Sequence, residues 1–305
     1  MANFALAVQA KAQLKLDGKF ASGEMRFRSP EVYKLFLKNT QFMTPDYQSV
    51  KSSTSRVIDL NYFTRTSRAL GSAYSHNHTG AQGDSAVLTP TWTTHEDKFA
   101  STLKEANNKI YSLDELHISK LENSIINFAN GMETVAHDVA FAGRSGVNVA
   151  TANGSFDATD DVFHITESTN GDQAISITQV AMDANAYQGM ASRLNNRNPS
   201  FADRQYLQAA QGAGNSTNTS FQFGGINFIL DPKMDSDAAG LVTSITKGFW
   251  IVVPQGSVGA LPWIPIQNRD GVETTVATFG NIVDPITGVT LATHTYEVGS
   301  TGVSL

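Results

Sequence analysis

The feature that most limits what this chain can become is one uninterrupted helical signal over residues 112–142. Ser112 and Glu115 form the Ser-x-x-Glu pattern of a capping box, in which each side chain meets an amide that a helix start leaves bare. Asp114 adds negative charge to the first turn, where the helix dipole favours it. Leu121, Ile125, Phe128, Met132, Val135 and Val139 then recur at steps of four and three, and Gly143 supplies a stop with Arg144 beside it. Such a helix is roughly 45 Å long. It carries one apolar stripe, broken only by Gly131, and a coiled coil would need several heptads that the chain does not sustain. A long, one-faced, solitary helix predicts a spine against which a sheet packs.

What precedes the spine looks unable to stand alone. Residues 1–50 show no sustained period, and Lys11, Lys15, Lys19, Arg26 and Arg28 alternate with apolar residues. Within them, residues 29–39 (SPEVYKLFLKN) predict a short helix with Ser29 as N-cap, Pro30 first and Glu31 in the first turn. Val32, Leu35 and Phe36 fall on its one apolar face. Residues 54–70 and 86–103 predict two extended runs, joined through a Gly/Ser/His/Asn stretch (71–85) of hairpin-tip composition. A two-stranded ribbon is marginal in water, so this one is expected to lean on a partner.

After the spine the pattern turns to strands. VFHIT (162–166), FQFGGINFIL (221–230), GFWIVVP (248–254), TTVATFG (274–280) and VTLATHTYEV (289–298) are the predicted strands, with a turn at DPITG (284–288). A second helix is expected within 175–194, using Ile177, Val180, Met182, Ala184 and Tyr187, and 211–220 is a polar loop. The class is α+β, without internal repeat.

Composition narrows the function. Only 16% of the 305 residues are charged, which is low for a soluble domain and is the pattern of a surface hidden against neighbours. Residues 1–70 carry a balance of +6 and the remainder −12, giving −6. A basic leading segment on an acidic body suits nucleic acid, a sister subunit, or simply a solvated face with an accidental bias, and the body lacks the dense basic patch of a strong DNA binder. No stretch approaches the ~20 apolar residues of a membrane helix, no signal-peptide core is present, and a cytosolic product is expected. With no cysteine, disulfides, thiolate metal sites and cysteine nucleophiles are excluded.

This order of parts resembles the major capsid proteins of tailed bacteriophages, the fold named after the phage Hong Kong ninety-seven and shared with encapsulins. The likeness covers most of the chain: basic arm, two-stranded loop, TPTWTTHEDKFASTLKEANN (89–108), spine helix, then an α+β domain. Local likenesses are FGGINFILDP (223–232), GFWIVVPQGSVGALPWIP (248–265) and DPITGVTLATHTYEV (284–298). The resemblance implies an N-arm at 1–50, an E-loop at 51–100, a P-domain with the spine at 101–169, an A-domain at 170–270, and C-terminal strands at 271–305 that return to the P-domain. It implies a non-enzymatic subunit that joins copies of itself into pentamers and hexamers and closes an icosahedral head around double-stranded DNA, with little sequence-specific contact. The expected location is the virion, assembled in the bacterial cytoplasm, and the further partners are a portal and scaffolding or decoration proteins. Many relatives carry a charged helical scaffolding segment ahead of the arm. Here the arm opens within a few residues of Met1, so scaffolding is expected to be separate, cleaved from a precursor, or absent.

The expected subunit contacts are Arg26, Arg28, Tyr33 and Phe36 on the arm, Tyr62, Phe63, Arg65, Arg68 and Trp92 on the loop, and Trp263 by the Pro-rich turn. No catalytic, cofactor or metal residue is assigned. His76 and His78 with Asp84 could hold a metal only if the tip folds them together, and they read better as polar turn residues. Asp114 and Glu115 are explained by capping, and Asp160, Asp161, Asp235 and Asp237 lack calcium-loop spacing. No phosphate loop, nucleophile elbow or zinc-protease motif occurs. The rival readings are an encapsulin-like compartment holding enzyme cargo, and a hydrolase or carbohydrate-binding α+β protein, which would need a pocket with convergent acids or a base–nucleophile pair.

Overall fold

The computed structural model describes residues 2–43, 59–63, 85–102, 104–105, 107, 112–143, 179–187, 220–223, 226–231, 233–234, 250–265, 268 and 277–296. In chain order these form helix α1 (Ala2–Ser22), helix α2 (Glu31–Met43), strands β1 (Leu60–Phe63) and β2 (Ser85–Leu88), and the spine helix α3 (Leu113–Ala142). Strands β3 (Gln179–Met182), β4 (Ser220–Phe223), β5 (Ile226–Leu230), β6 (Trp250–Val252), β7 (Ala277–Val283) and β8 (Thr290–Tyr296) follow. Among the described residues the architecture is α+β.

The spine starts where its sequence signals place it. The Ser112 hydroxyl accepts from the Glu115 N–H and the Glu115 carboxylate accepts from the Ser112 N–H, each at 3.2 Å. Gly143 ends the helix by donating to Val139 O at 2.9 Å, with φ −86°, so no left-handed cap is used. The buried face differs from the expected stripe. Leu121, Ile125, Ala129, Glu133 and His137 form a buried row at steps of four, joined by Leu116, Ile118 and Ala136. Phe128, Met132 and Val135 are half-buried and Val139 is exposed. A row at steps of four is an inclined ridge that meets crossing helices, and α1 and α2 both lie against α3.

The leading segment is a correction to the sequence reading. Instead of a periodless arm, residues 2–22 are helical, and Val8, Ala12 and Leu16 bury a narrow stripe at steps of four while Leu14 points to solvent. Gly23, at φ +79°, ends the helix in a conformation that suits glycine. Met25 and Phe27 then turn inward, and with Ala12 and Leu16 they join Ile118, Leu121, Ile125, Ala129, Ile282 and Ile286 in one core. Each large side chain so buried contributes about 1.5–3 kcal/mol. The basic residues Lys11 and Lys19 pair with Asp114 and Glu122 of the chain's own spine. Such partly exposed pairs add at most about 1 kcal/mol each, so packing holds α1 in place.

Helix α2 buries Val32, Leu35 and Phe36 as expected, with Ala136 of the spine, Ala181 of β3, Ile251 of β6 and Val253. It is therefore the wedge between spine and sheet. Its start is served from across the core: the N–H groups of Val32 and Tyr33 donate to Glu133, while the Ser29 hydroxyl accepts from Lys34 Nζ.

The four-stranded sheet has the order β4-β5-β3-β6, with β3 parallel to β5 and the other pairs antiparallel. Residues 179–182 are thus a central strand where a helix is expected from sequence. Val180, Ala181 and Met182 are buried alike, so the strand has no solvent face and shows no alternation to read. Asp183 then takes the Ala186 N–H at 2.7 Å to start a short helical turn. Residues 221–230, expected as one strand, are two that pair antiparallel, Phe221 with Phe228. At the C-terminal end β7 and β8 pair from Ala277–Tyr296 to Val283–Thr290 across the Asp284–Val289 turn. Gly288 (φ +72°) makes that turn, and the hairpin packs on α1 and α3. The expected strand at 162–166 and the hairpin tip before Ser85 lie outside the described residues.

Candidate functional site

Two features stand out as candidates: an exposed run beside the ribbon, and a polar cluster sealed inside the fold.

The ribbon is an antiparallel pair of four-residue strands, in which Tyr62 sits opposite Ala86 and Phe63 opposite Ser85. Thr89 Oγ1 donates to Asp59 Oδ1 at 2.6 Å beside it. From Thr89 to Thr102 the chain takes neither helix nor strand form, and residues 93–100 are all exposed. It is held at separate points. The Trp92 ring lies 6.3 Å from that of Trp263, the Phe99 ring lies 5.2 Å from that of His117, and Lys120 Nζ donates to Ala100 O. Burial lowers the pKa of His117, partly offset by Asp114, while the Lys120 charge adds to the lowering. The Trp92 Nε1–H is occluded and finds no acceptor among the described residues.

The structure therefore brings together Trp92 and Trp263, the two indoles that the sequence singles out. Arg26 and Arg28 are exposed on either side of buried Phe27. Tyr33 and Phe36 are buried in the chain's own core, where α2 packs between spine and sheet. Arg65 and Arg68, and the His76, His78 and Asp84 group, lie outside the described residues.

The sealed cluster joins three elements. Glu133 and His137 sit one turn apart on α3, and Asp231 follows β5; their exposures are 2%, 0% and 1%. His137 Nε2 lies 2.8 Å from Asp231 Oδ2 and 3.5 Å from Glu133 Oε1. The Val32 N–H donates to Glu133 Oε1 at 3.0 Å and the Tyr33 N–H to Oε2 at 2.8 Å, so the carboxylate caps α2 from across the core. Asp231 Oδ1 accepts from the Lys233 N–H at 3.0 Å, and the Asp231 N–H donates to Met182 O at 2.8 Å. Spine, wedge helix and sheet are thus tied through one point.

Burial raises the Glu133 pKa to about 7, and the adjoining Asp231 reinforces the rise against the hydrogen bonds of His137 and the Tyr33 N–H. For Asp231 burial also acts upward, but hydrogen bonds from His137 and Glu133, the His137 charge and the Lys233 N–H outweigh it, and its carboxyl stays below the usual range. Removing one member of so buried a set costs about 3–5 kcal/mol, because the others lose their compensation. With all three at 2% exposure or less, the cluster suits holding the fold or a small cation rather than meeting a substrate.

Set beside protein-family models, curated proteins and solved structures, the chain matches none.

Sequence reasoning passed over Glu133 and His137 because it followed apolar residues only. The signal was present, since both continue the steps of four from Leu121, Ile125 and Ala129. A glutamate and a histidine in phase with a buried stripe mark a polar site inside the core. Asp231 lies 94 residues beyond His137, and no local spacing joins them.

Proposed function

We propose that this chain is the major capsid protein of a tailed bacteriophage, a non-enzymatic subunit that closes through pentamers and hexamers into an icosahedral head around double-stranded DNA. The observation that carries this reading is the exposed run at 93–100, set between a two-stranded ribbon and a long spine helix. A stretch so sparsely held by its own chain gains most when a neighbouring subunit covers it. The order of parts supports the same reading, since ribbon, spine, mixed sheet and a returning terminal hairpin follow one another as the resemblance implies. Contacts of modest strength suffice, because closure of a shell makes each later contact intramolecular. The partners are other copies of the chain, a portal, and any scaffolding or decoration protein; the location is the virion.

Negative-stain microscopy of the purified protein, with sedimentation velocity across salt and concentration, tests the reading. Uniform shells or capsomer rings are expected, and nucleic acid rather than protein cargo inside shells recovered from cells separates a phage head from an encapsulin-like compartment. A monomer at every concentration, both alone and with its neighbouring gene products co-expressed, overturns it.

A further inference from the structure

We propose that Glu133, His137 and Asp231 form a buried binding site for one divalent cation of the zinc class. The inference does not depend on the shell reading. Its basis is that three potential ligand atoms, one from each residue, lie within 4.8 Å of one another in the interior. An imidazole nitrogen with two carboxylate oxygens is a donor set for zinc, cobalt or manganese.

The spacing is close to what such an ion needs. Ligands about 2.0–2.2 Å from a tetrahedral centre stand roughly 3.3 Å apart. The 3.5 Å between His137 Nε2 and Glu133 Oε1 already fits, and the 2.8 Å to Asp231 Oδ2 must open by roughly half an ångström. Calcium would need six or more oxygens and magnesium would keep several waters, and neither suits a set sealed from solvent.

The surroundings hold these side chains as outer partners hold metal ligands. Glu133 is oriented by the Val32 and Tyr33 N–H groups, and Asp231 by the Lys233 N–H on Oδ1, which leaves Oδ2 toward the ring. Charge points the same way. Among the described residues the ion pairs of Glu133 and Asp231 are with His137, and Lys233 Nζ is turned to Asn130 O and Thr134 Oγ1. One divalent cation neutralises two carboxylates beside a neutral imidazole. The alternative neutral state needs two protons, so cation and protons compete for the same place. Because the site is closed, the ion enters as the chain folds.

The test uses the full chain, unfolded in chelator, then refolded without metal, with one equivalent of zinc, and with one of cobalt. Expected are about one bound ion per chain by elemental analysis, a visible cobalt spectrum of low coordination, and a melting temperature about 5–10 °C above the metal-free protein. His137→Gln and Asp231→Asn each lose the ion by tenfold or more, while a chain with His76→Ala and His78→Ala keeps it. Metal-free and zinc-refolded protein melting together with no bound ion overturns the proposal, and leaves the cluster as a proton-bridged tie. An ion that survives both His137→Gln and Asp231→Asn but leaves with His76 and His78 also overturns it. Should either cluster variant fail to fold, the wild-type refolding arms still decide.

Discussion

Asp284, at the turn of the β7–β8 hairpin, is completely buried, and its carboxylate accepts from the Ile286 N–H at 2.8 Å and from the Thr287 hydroxyl. Burial pushes its carboxyl above the ordinary value, and the Thr287 hydroxyl, the Ile286 and Thr287 N–H groups and the Lys34 charge offset only part of that. A raised folded-state pKa means that the folded chain holds the proton more tightly than the unfolded chain. Ionisation therefore costs stability: the cost is absent below the ordinary carboxylate range, grows as pH rises through it, and is complete above the raised value. Asp284→Asn removes the charge and keeps an acceptor for the Ile286 N–H. Its unfolding free energy in urea is expected to gain on wild type as pH rises from about 3.5 to 7. A difference that stays flat over that range would mean the hydrogen bonds hold the carboxyl at its ordinary value. Asn39 and Asn268 serve the same end without charge. The first takes the Gly256 N–H at 2.7 Å and donates to Pro254 O, and the second donates to Gly280 O at 2.9 Å across the terminal hairpin.

Between elements, α1 and β7 meet closely at Gly280. A Cβ at Gly280 would collide with Gln9 Oε1, and Gln9 Nε2 donates to Thr293 Oγ1 at 3.0 Å on the adjoining strand. Gly280→Ala is expected to expel the Gln9 side chain and cost about 1–2 kcal/mol in its lost hydrogen bonds. In a Gln9→Ala background the same change should cost less by about that amount, a coupling that chemical denaturation of the four proteins measures. Equal costs in both backgrounds would place the strain elsewhere. Nothing in the local sequence around Gln9 announces this contact, which explains what was legible and what was not. The start of α3 could be read because Ser112, Asp114 and Glu115 act within one turn. The apolar face of α2 and the DPITG turn are local in the same way. Helix α1 could not be read, because its buried stripe of Val8, Ala12 and Leu16 is narrow, includes a small residue and is flanked by lysines. Strand β3 was hidden by being buried on both faces, and the Glu133–His137–Asp231 cluster by a ligand set that only the tertiary fold assembles.

At the scale of the whole molecule, what matters is which groups remain after the chain has folded on itself. Lys11 and Lys19 are spent on Asp114 and Glu122, and Tyr33 and Phe36 on the core. Arg26 and Arg28 remain, projecting from the short extended segment between α1 and α2 whose inward residues, Met25 and Phe27, fix it to the spine. A pair of cations on a rigid segment, in a protein whose net charge is −6, is complementary to the acidic remainder of a second copy. Replacing both by glutamate leaves every buried side chain in place, so the thermal unfolding of the isolated subunit should move by no more than about 0.5 kcal/mol equivalent per site. Assembly into the proposed shell should respond differently, since a like-charge contact repeated around every capsomer of such a shell would multiply a small penalty. The Arg26→Glu, Arg28→Glu protein is expected to sediment as free subunits or small rings under conditions where the proposed function expects wild type to form shells. Added salt should narrow the difference, because exposed charges more than about 10 Å apart are screened at 0.1 M. Shells of normal yield and salt dependence from the doubly reversed protein would remove these arginines from the contact and shift it to the Trp92 run.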